Sequence, residues 1–133
     1  MWIFTKTGFV SAVQHATAPG MILVRARVRG DIDAFLAPVE ERVAVQETPT
    51  ADYRFRTAVT RADFETAVAA AARAIDYTNF KDAAHEGTER DFAYMDVWTA
   101  MRFLQERMAS NEAWRAKAAA WNMKKKEGKA SKR

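Results

Sequence analysis

Apolar and polar residues alternate most strictly in two places. In MILVRARVR, which begins at Met21, an extended strand puts Ile22, Val24, Ala26 and Val28 on one side and Leu23, Arg25, Arg27 and Arg29 on the other. In YRFRTAV, which begins at Tyr53, one side carries Tyr53, Phe55, Thr57 and Val59, and the other Arg54, Arg56 and Ala58. Upstream, WIFTKTGFVSAVQ predicts two short strands joined at KTG, with Gly8 available for a positive φ in a tight turn. HATAPG predicts a loop. GDIDAFL predicts a short helix capped by Asp31 and stopped by Pro38. VEERVAVQETPTAD fits a helix end, an edge strand or a loop.

The second half of the chain changes to helical spacing. Thr60, with Asp63 three residues on, forms a capping-box-like start. Phe64, Val68, Ala71, Ala72 and Ile75 would be the buried stripe of that helix. TNFKDAAHE predicts another helix, broken by Gly87. The longest predicted helix runs from about Glu89 to Met108, with Tyr94, Val97, Trp98, Met101, Leu104 and Met108 on its apolar face. A last helix would start at Ser110 or Asn111 and carry Trp114, Ala118 and Trp121. Strands precede helices, and consecutive hairpins favour antiparallel pairing. The expected fold class is α+β: an antiparallel sheet of about four strands, helices packed on one face, and a helical C-terminal half. Gly and Pro are sparse and no linker stands out, which predicts a single domain over 1–123.

Composition sharpens this picture in three respects. Of the 133 residues, 49% are hydrophobic and 29% charged, a globular balance that excludes wholesale disorder. No cysteine is present, which removes disulfides, thiolate metal sites and thiol nucleophiles and fits a cytoplasmic protein. No apolar run is long enough to span a membrane, and no membrane partner is expected. The net charge of +4 is misleading as a whole-chain figure. The last ten residues, KKKEGKASKR, hold six basic residues and one acidic one, so the rest of the chain is close to neutral. That composition predicts a disordered basic tail over 124–133.

The charge that matters is therefore local. Alternation gathers Arg25, Arg27, Arg29, Arg54 and Arg56 onto the sheet face away from the helices. A guanidinium fork bonds two oxygens of a phosphate or carboxylate at once, so this face is a candidate anion-binding surface, with Arg25, Arg27, Arg54 and Arg56 as its core. Against that, alternating Arg also serves simply to solvate a sheet, and Glu40, Glu41 and Glu47 are near enough in sequence to neutralise it. No RNA-module signature of exposed stacking aromatics is present, since Tyr53 and Phe55 fall on the apolar side; Trp2, at the very start of a strand, would pack across a sheet edge or mark a partner surface. A second candidate is AIDYTNFKDAAHE. Asp76 and Asn79 suit a joint between helices. Lys81 and His85, one helical turn apart and close behind Tyr77, would suit a site. The two histidines, His15 and His85, show no metal-binding spacing, and no phosphate loop is present. No metal or cofactor is expected, and nothing in the pattern specifies an oligomeric state.

The segments MWIFTKTGFVSAVQH, YRFR, AIDYTNFKDAAHE and AYMDVW resemble an uncharacterised family of short bacterial and phage-associated proteins. The family's pattern is MW-F-T--GF-S-VQ at the start, IDY-NFK in the middle and Y--VW late in the chain. The resemblance covers roughly residues 1 to 105. It implies no activity and carries over no catalytic residues. Three functions are compatible with the residues. The first is a non-enzymatic module that binds an anionic partner, nucleic acid foremost, through the arginine face. The second is a protein–protein interaction module, or a phage-encoded inhibitor, that sets the same face against an acidic protein surface. The third is an enzyme centred on Tyr77, Lys81 and His85.

Overall fold

The computed structural model describes residues 1–40, 43–85 and 87–130, with side chains through residue 122. Where the pattern predicts one domain, the chain divides into two compact units, Met1–His85 and Glu86–Arg133. The first holds strands β1 (Trp2–Thr5), β2 (Gly8–Gln14) and β3 (Met21–Ala26), helix α1 (Arg29–Leu36), strands β4 (Gln46–Glu47) and β5 (Phe55–Thr60), and helices α2 (Arg61–Arg73) and α3 (Phe80–Ala83). The second holds helix α4 (Glu89–Ala130). The fold class is α+β. The sheet has five antiparallel strands in the order β1-β2-β3-β5-β4, one more than the pattern indicates. The extra strand is β4, a two-residue edge strand from the segment whose assignment the sequence leaves open.

Alternation builds the core as expected. Val10 and Ala12 of β2, Ile22, Val24 and Ala26 of β3 and Val59 of β5 face α1 and α2. From the helices come Ile32, Phe35 and Leu36 of α1 and Phe64 and Ala67 of α2. The rings of Phe35 and Phe64 lie 6.0 Å apart and join the two helices over the sheet. Thr60 caps α2 as expected: its Oγ1 accepts from the Asp63 amide at 3.1 Å, and its hydroxyl, not its amide, donates to Asp63 Oδ2 at 2.6 Å. Its buried stripe is shorter than the spacing suggests. Ala74 caps the helix, which leaves Ile75 beyond its end and 59% exposed.

Three local expectations change. β3 stops at Ala26, so Val28 is not a core residue but the N-cap position of α1, and Arg29 is that helix's first residue. Asp31 does not cap α1. It lies in the first turn, is buried, and its Oδ2 accepts the Phe9 amide of β2 at 2.9 Å. Gly8 has no positive φ; those of the glycines are at Gly20 and Gly87. Glycine is needed at position 8 for space, since a Cβ there would meet Asp31 Cγ at 2.9 Å and Asp31 Cα at 3.0 Å. The tight fit of β2 against α1 thus depends on a missing side chain and one carboxylate.

α4 is one continuous helix of 42 residues. Ser110 and Asn111 lie inside it rather than capping a separate helix. At 100° per residue, the unbroken helix places Tyr94, Val97, Trp98, Met101, Leu104 and Met108 on one side, and Phe92, Phe103, Trp114 and Trp121 on the opposite side. Asp91 in its first turn accepts the Gly87 and Thr88 amides at 2.7 and 3.2 Å. Arg102 pairs with Glu106 at 2.9 Å, one turn on. Residues 124–130 of the basic segment belong to the helix, and residues 131–133 lie outside the described residues.

The contact between Gly8 and Asp31 can be tested by mutation. Asp31→Ala leaves the Phe9 amide without its acceptor and should cost about 1–3 kcal/mol in urea unfolding. Asp31→Asn keeps an oxygen acceptor and should cost less. Gly8→Ala drives a methyl into α1 and should cost a further ~1–3 kcal/mol. A stable Gly8→Ala variant would show that α1 can shift away from β2.

Candidate anion-binding face of the sheet

Opposite residues in an antiparallel pair share a face. The register therefore extends one row across the whole sheet: Trp2 on β1, Ser11 on β2, Arg25 on β3, Arg56 on β5 and Gln46 on β4. Ala12 and Val24, the next opposed pair along β2 and β3, belong to the core beneath the helices. The row of Arg25 and Arg56 consequently points away from α1 and α2, as the alternation predicts.

The five arginines assigned to this face do not act alike. Arg29 leaves it for α1 and pairs with Asp33 at 2.8 Å. Arg54, just before β5, also turns away from it: its Nε donates to Glu47 Oε1 at 2.7 Å and its guanidinium lies 5.6 Å from the centre of the Phe55 ring, and Glu47 and Phe55 are opposed in register on the other side of the sheet. Arg27 donates to Asp52 Oδ1 at 2.8 Å. Burial works to lower the Arg27 pKa; hydrogen bonding to the Tyr53 and Asp52 side chains outweighs it and raises the pKa above its ordinary value. Asp52 thus neutralises part of this surface, Glu47 pairs with Arg54 on the other side, and Glu41 lies outside the described residues.

Arg25 and Arg56 differ from these. Among the described residues neither has a carboxylate partner. They are directly opposed in the β3–β5 register. Arg25 donates from one terminal nitrogen to Ser11 Oγ at 2.9 Å, and Arg56 from one of its own to the Tyr53 carbonyl at 2.7 Å. The Nε of each is buried without a hydrogen-bond partner. Two like charges held side by side repel, and a buried unpartnered donor is costly. An anion lying against both guanidiniums would relieve the repulsion.

Tyr53 organises the pair, and here the sequence expectation is corrected. Tyr53 lies in the bend before β5, outside the alternation, and its ring turns to the arginine side. It is 7% exposed, with the Arg27 guanidinium at 4.2 Å from its centre, that of Arg25 at 4.6 Å and the Phe9 ring at 6.4 Å. Phe55 stays on the core side as expected. The face also carries Phe4 and Phe9, which the sequence reading did not assign to it, beside Trp2. Phe4 and Phe9, opposed in the β1–β2 register, are 4.5 Å apart between centroids, and Trp2 meets Phe9 edge-on at 5.7 Å. Trp2 is 66% exposed. Continuing the alternation of GFVSA, with Val10 and Ala12 turned inward, would have placed Phe9 and Ser11 outward. That signal was present but too short to be read alone.

The second candidate stretch behaves as a joint at Asn79, whose Oδ1 accepts the Lys81 amide at 3.0 Å and caps α3. α3 is only four residues long, and Ala84 is its C-cap, so His85 lies past its end and does not share a helix face with Lys81. The Tyr77 ring packs 5.8 Å from Phe80. The residue that sequence reasoning missed is Lys6, in the β1–β2 turn. Its Nζ bonds both Asp76 oxygens, at 2.8 and 3.0 Å, and lies 6.0 Å from the centre of the Tyr77 ring. Asp76 is therefore a tie to the sheet rather than a local turn residue. His15 Nδ1 accepts the Thr17 and Ala18 amides at 3.3 and 3.2 Å, which closes the loop before β3. Among the described residues no acidic or histidine cluster is arranged to hold a metal, and no helix is long and apolar enough to cross a membrane. No protein-family model, curated protein or solved structure matches the chain.

Hydrogen bonding from Lys6, reinforced by its charge, holds the Asp76 carboxyl below its ordinary pKa. The contribution of the pair is present above the ordinary carboxylate range and is lost as pH falls through the lowered value. In a carboxyl NMR titration Asp76 should have a depressed midpoint, and Lys6→Met should return it to the ordinary range. An unchanged midpoint in that variant would mean the pair does not form in solution.

Proposed function

We propose that this chain is a small cytoplasmic, non-enzymatic α+β module that binds an anionic partner, nucleic acid foremost, through the outer face of its sheet. The observation that carries this reading is the pairing of Arg25 and Arg56, adjacent in register and without carboxylates among the described residues. Arg27 and Arg54 are already paired with Asp52 and Glu47. Lys81 and the basic C-terminal segment add long-range attraction. The absence of cysteine fits a reducing compartment. The competing readings keep distinct signatures. A protein-interaction module or inhibitor would use the same face against an acidic protein surface. An enzyme would need Tyr77, Lys81 and His85 to converge, and the short α3 gives them no common helix face.

The test is oligonucleotide binding by fluorescence anisotropy over a salt series. Each phosphate held by an arginine releases roughly one counterion, so Arg25→Gln/Arg56→Gln should lower the salt slope by about two units. Arg54→Ala, which removes a cation already paired, should leave the slope nearly unchanged. Deleting 124–133 should weaken binding at low salt without removing the dependence on Arg25 and Arg56. If only the deletion matters, the sheet face is solvated surface. If wild type binds no oligonucleotide at low salt, the protein-partner reading takes its place.

A further inference from the structure

Resting on that reading, we propose that the ligand of this face is a single-stranded nucleic acid, with a base stacked on Trp2 and the neighbouring phosphates held by Arg25 and Arg56. The argument starts from the row across the sheet. Strands lie about 4.8 Å apart, so Trp2 on β1 and Arg25 on β3 are separated by roughly 10 Å, with only Ser11 between them. Ser11 is 1% exposed and hydrogen-bonded to Arg25, so its side chain is covered by its neighbours and the ring and the guanidiniums are what the row offers a ligand. A strand of nucleic acid laid along the row would meet the ring at β1 and the guanidiniums at β3 and β5.

The β1 end of the row and its centre offer the two chemistries such a strand needs. Trp2 is a large exposed ring, held by its contact with Phe9, which is itself packed on Phe4. An exposed, braced aromatic on a sheet is a stacking platform for an unpaired base of any identity. Arg25 and Arg56 are pinned by Ser11, by the ring of Tyr53 and by the Tyr53 carbonyl. Little side-chain freedom is left to lose on binding, which favours a phosphate delivered to the sheet. The same pinning argues against a duplex. These guanidiniums lie down on the sheet and do not project as a helix or ribbon does into a major groove. A duplex also keeps its base faces stacked internally and would leave Trp2 unused. An acidic protein surface would engage the arginines but has no planar group for the ring.

The experiment compares a fluorescein-labelled thymidine homopolymer, a single-stranded RNA of equal length and a duplex, by anisotropy at matched salt. The variants are Trp2→Leu, which keeps apolar contact with Phe9 but has no π face, Trp2→Phe, and Arg25→Gln/Arg56→Gln. Wild type should prefer single strands over duplex by at least about tenfold. Trp2→Leu should weaken single-strand binding roughly 10- to 100-fold, the worth of one stacked base, with the salt slope unchanged. Trp2→Phe should restore most of that loss. Duplex binding should not respond to either change at Trp2. Equal affinity for single strand and duplex, or indifference to Trp2→Leu, overturns the stacking proposal. The anionic-partner reading would survive that result if Arg25→Gln/Arg56→Gln still lowers the salt slope. Failure of every nucleic acid to bind at low salt overturns both. Thermal melts of each variant confirm that it is folded, and Trp2→Phe remains the informative variant if Trp2→Leu is not.

Discussion

The antiparallel register of β2, β3 and β5 is the constraint on which everything else in Met1–His85 depends. It opposes Ala12 to Val24 and Ile22 to Val59 on the side that α1 and α2 cover, and Ser11 to Arg25 and Arg25 to Arg56 on the other. A slip of one residue in any of these strands would exchange the two sides and bury guanidiniums in the core. Core and arginine face are therefore one decision. The apolar residues fix the register because burial of Val24, Ala26 and Ile32 is complete, and the arginines take the positions that remain.

Which arginines are free to bind is a separate matter, decided by where carboxylates end up. Asp52, Glu47 and Asp33 each lie on a loop, an edge strand or a helix that returns close to one arginine. None reaches the centre of the sheet, so among the described residues Arg25 and Arg56 have neutral partners. Exposed ion pairs of this kind contribute little stability. Their larger effect is to concentrate the unbalanced positive charge at the centre of the row, beside Tyr53 and in line with Trp2.

α4 shows how one boundary can change the meaning of a pattern. Treated as two helices, the stretch has two apolar stripes that can turn toward the same neighbour. As one uninterrupted helix, the stripe of Met101 and Leu104 and that of Phe103 and Trp114 lie on opposite sides. Ser110 and Asn111 have the chemistry of a cap, but a capping residue must itself leave helical geometry, and neither does. Propensity at one position cannot outweigh helix formers on both sides.

Strict alternation was enough to identify β3 and β5, their inward residues within the strands though not Val28 or Tyr53 at their ends, and the outward direction of Arg25 and Arg56, because a period of two is a purely local property of an extended chain. Thr60 with Asp63, and Asn79, announced their helix starts for the same reason: a cap is made within three residues. The α+β class followed from strands preceding helices. What the sequence could not determine depends on residues far apart along the chain. Gly8 makes room for Asp31, Lys6 reaches Asp76, Tyr53 leaves the alternation to lie between Arg25 and Arg27, and Asp52 and Glu47 take Arg27 and Arg54. Each of these needs two or more elements placed together before it exists. The arginine face was legible in the chain, but its division into paired and unpaired arginines, and its aromatic neighbour at Trp2, were set by tertiary structure, since only packing decides which charges meet.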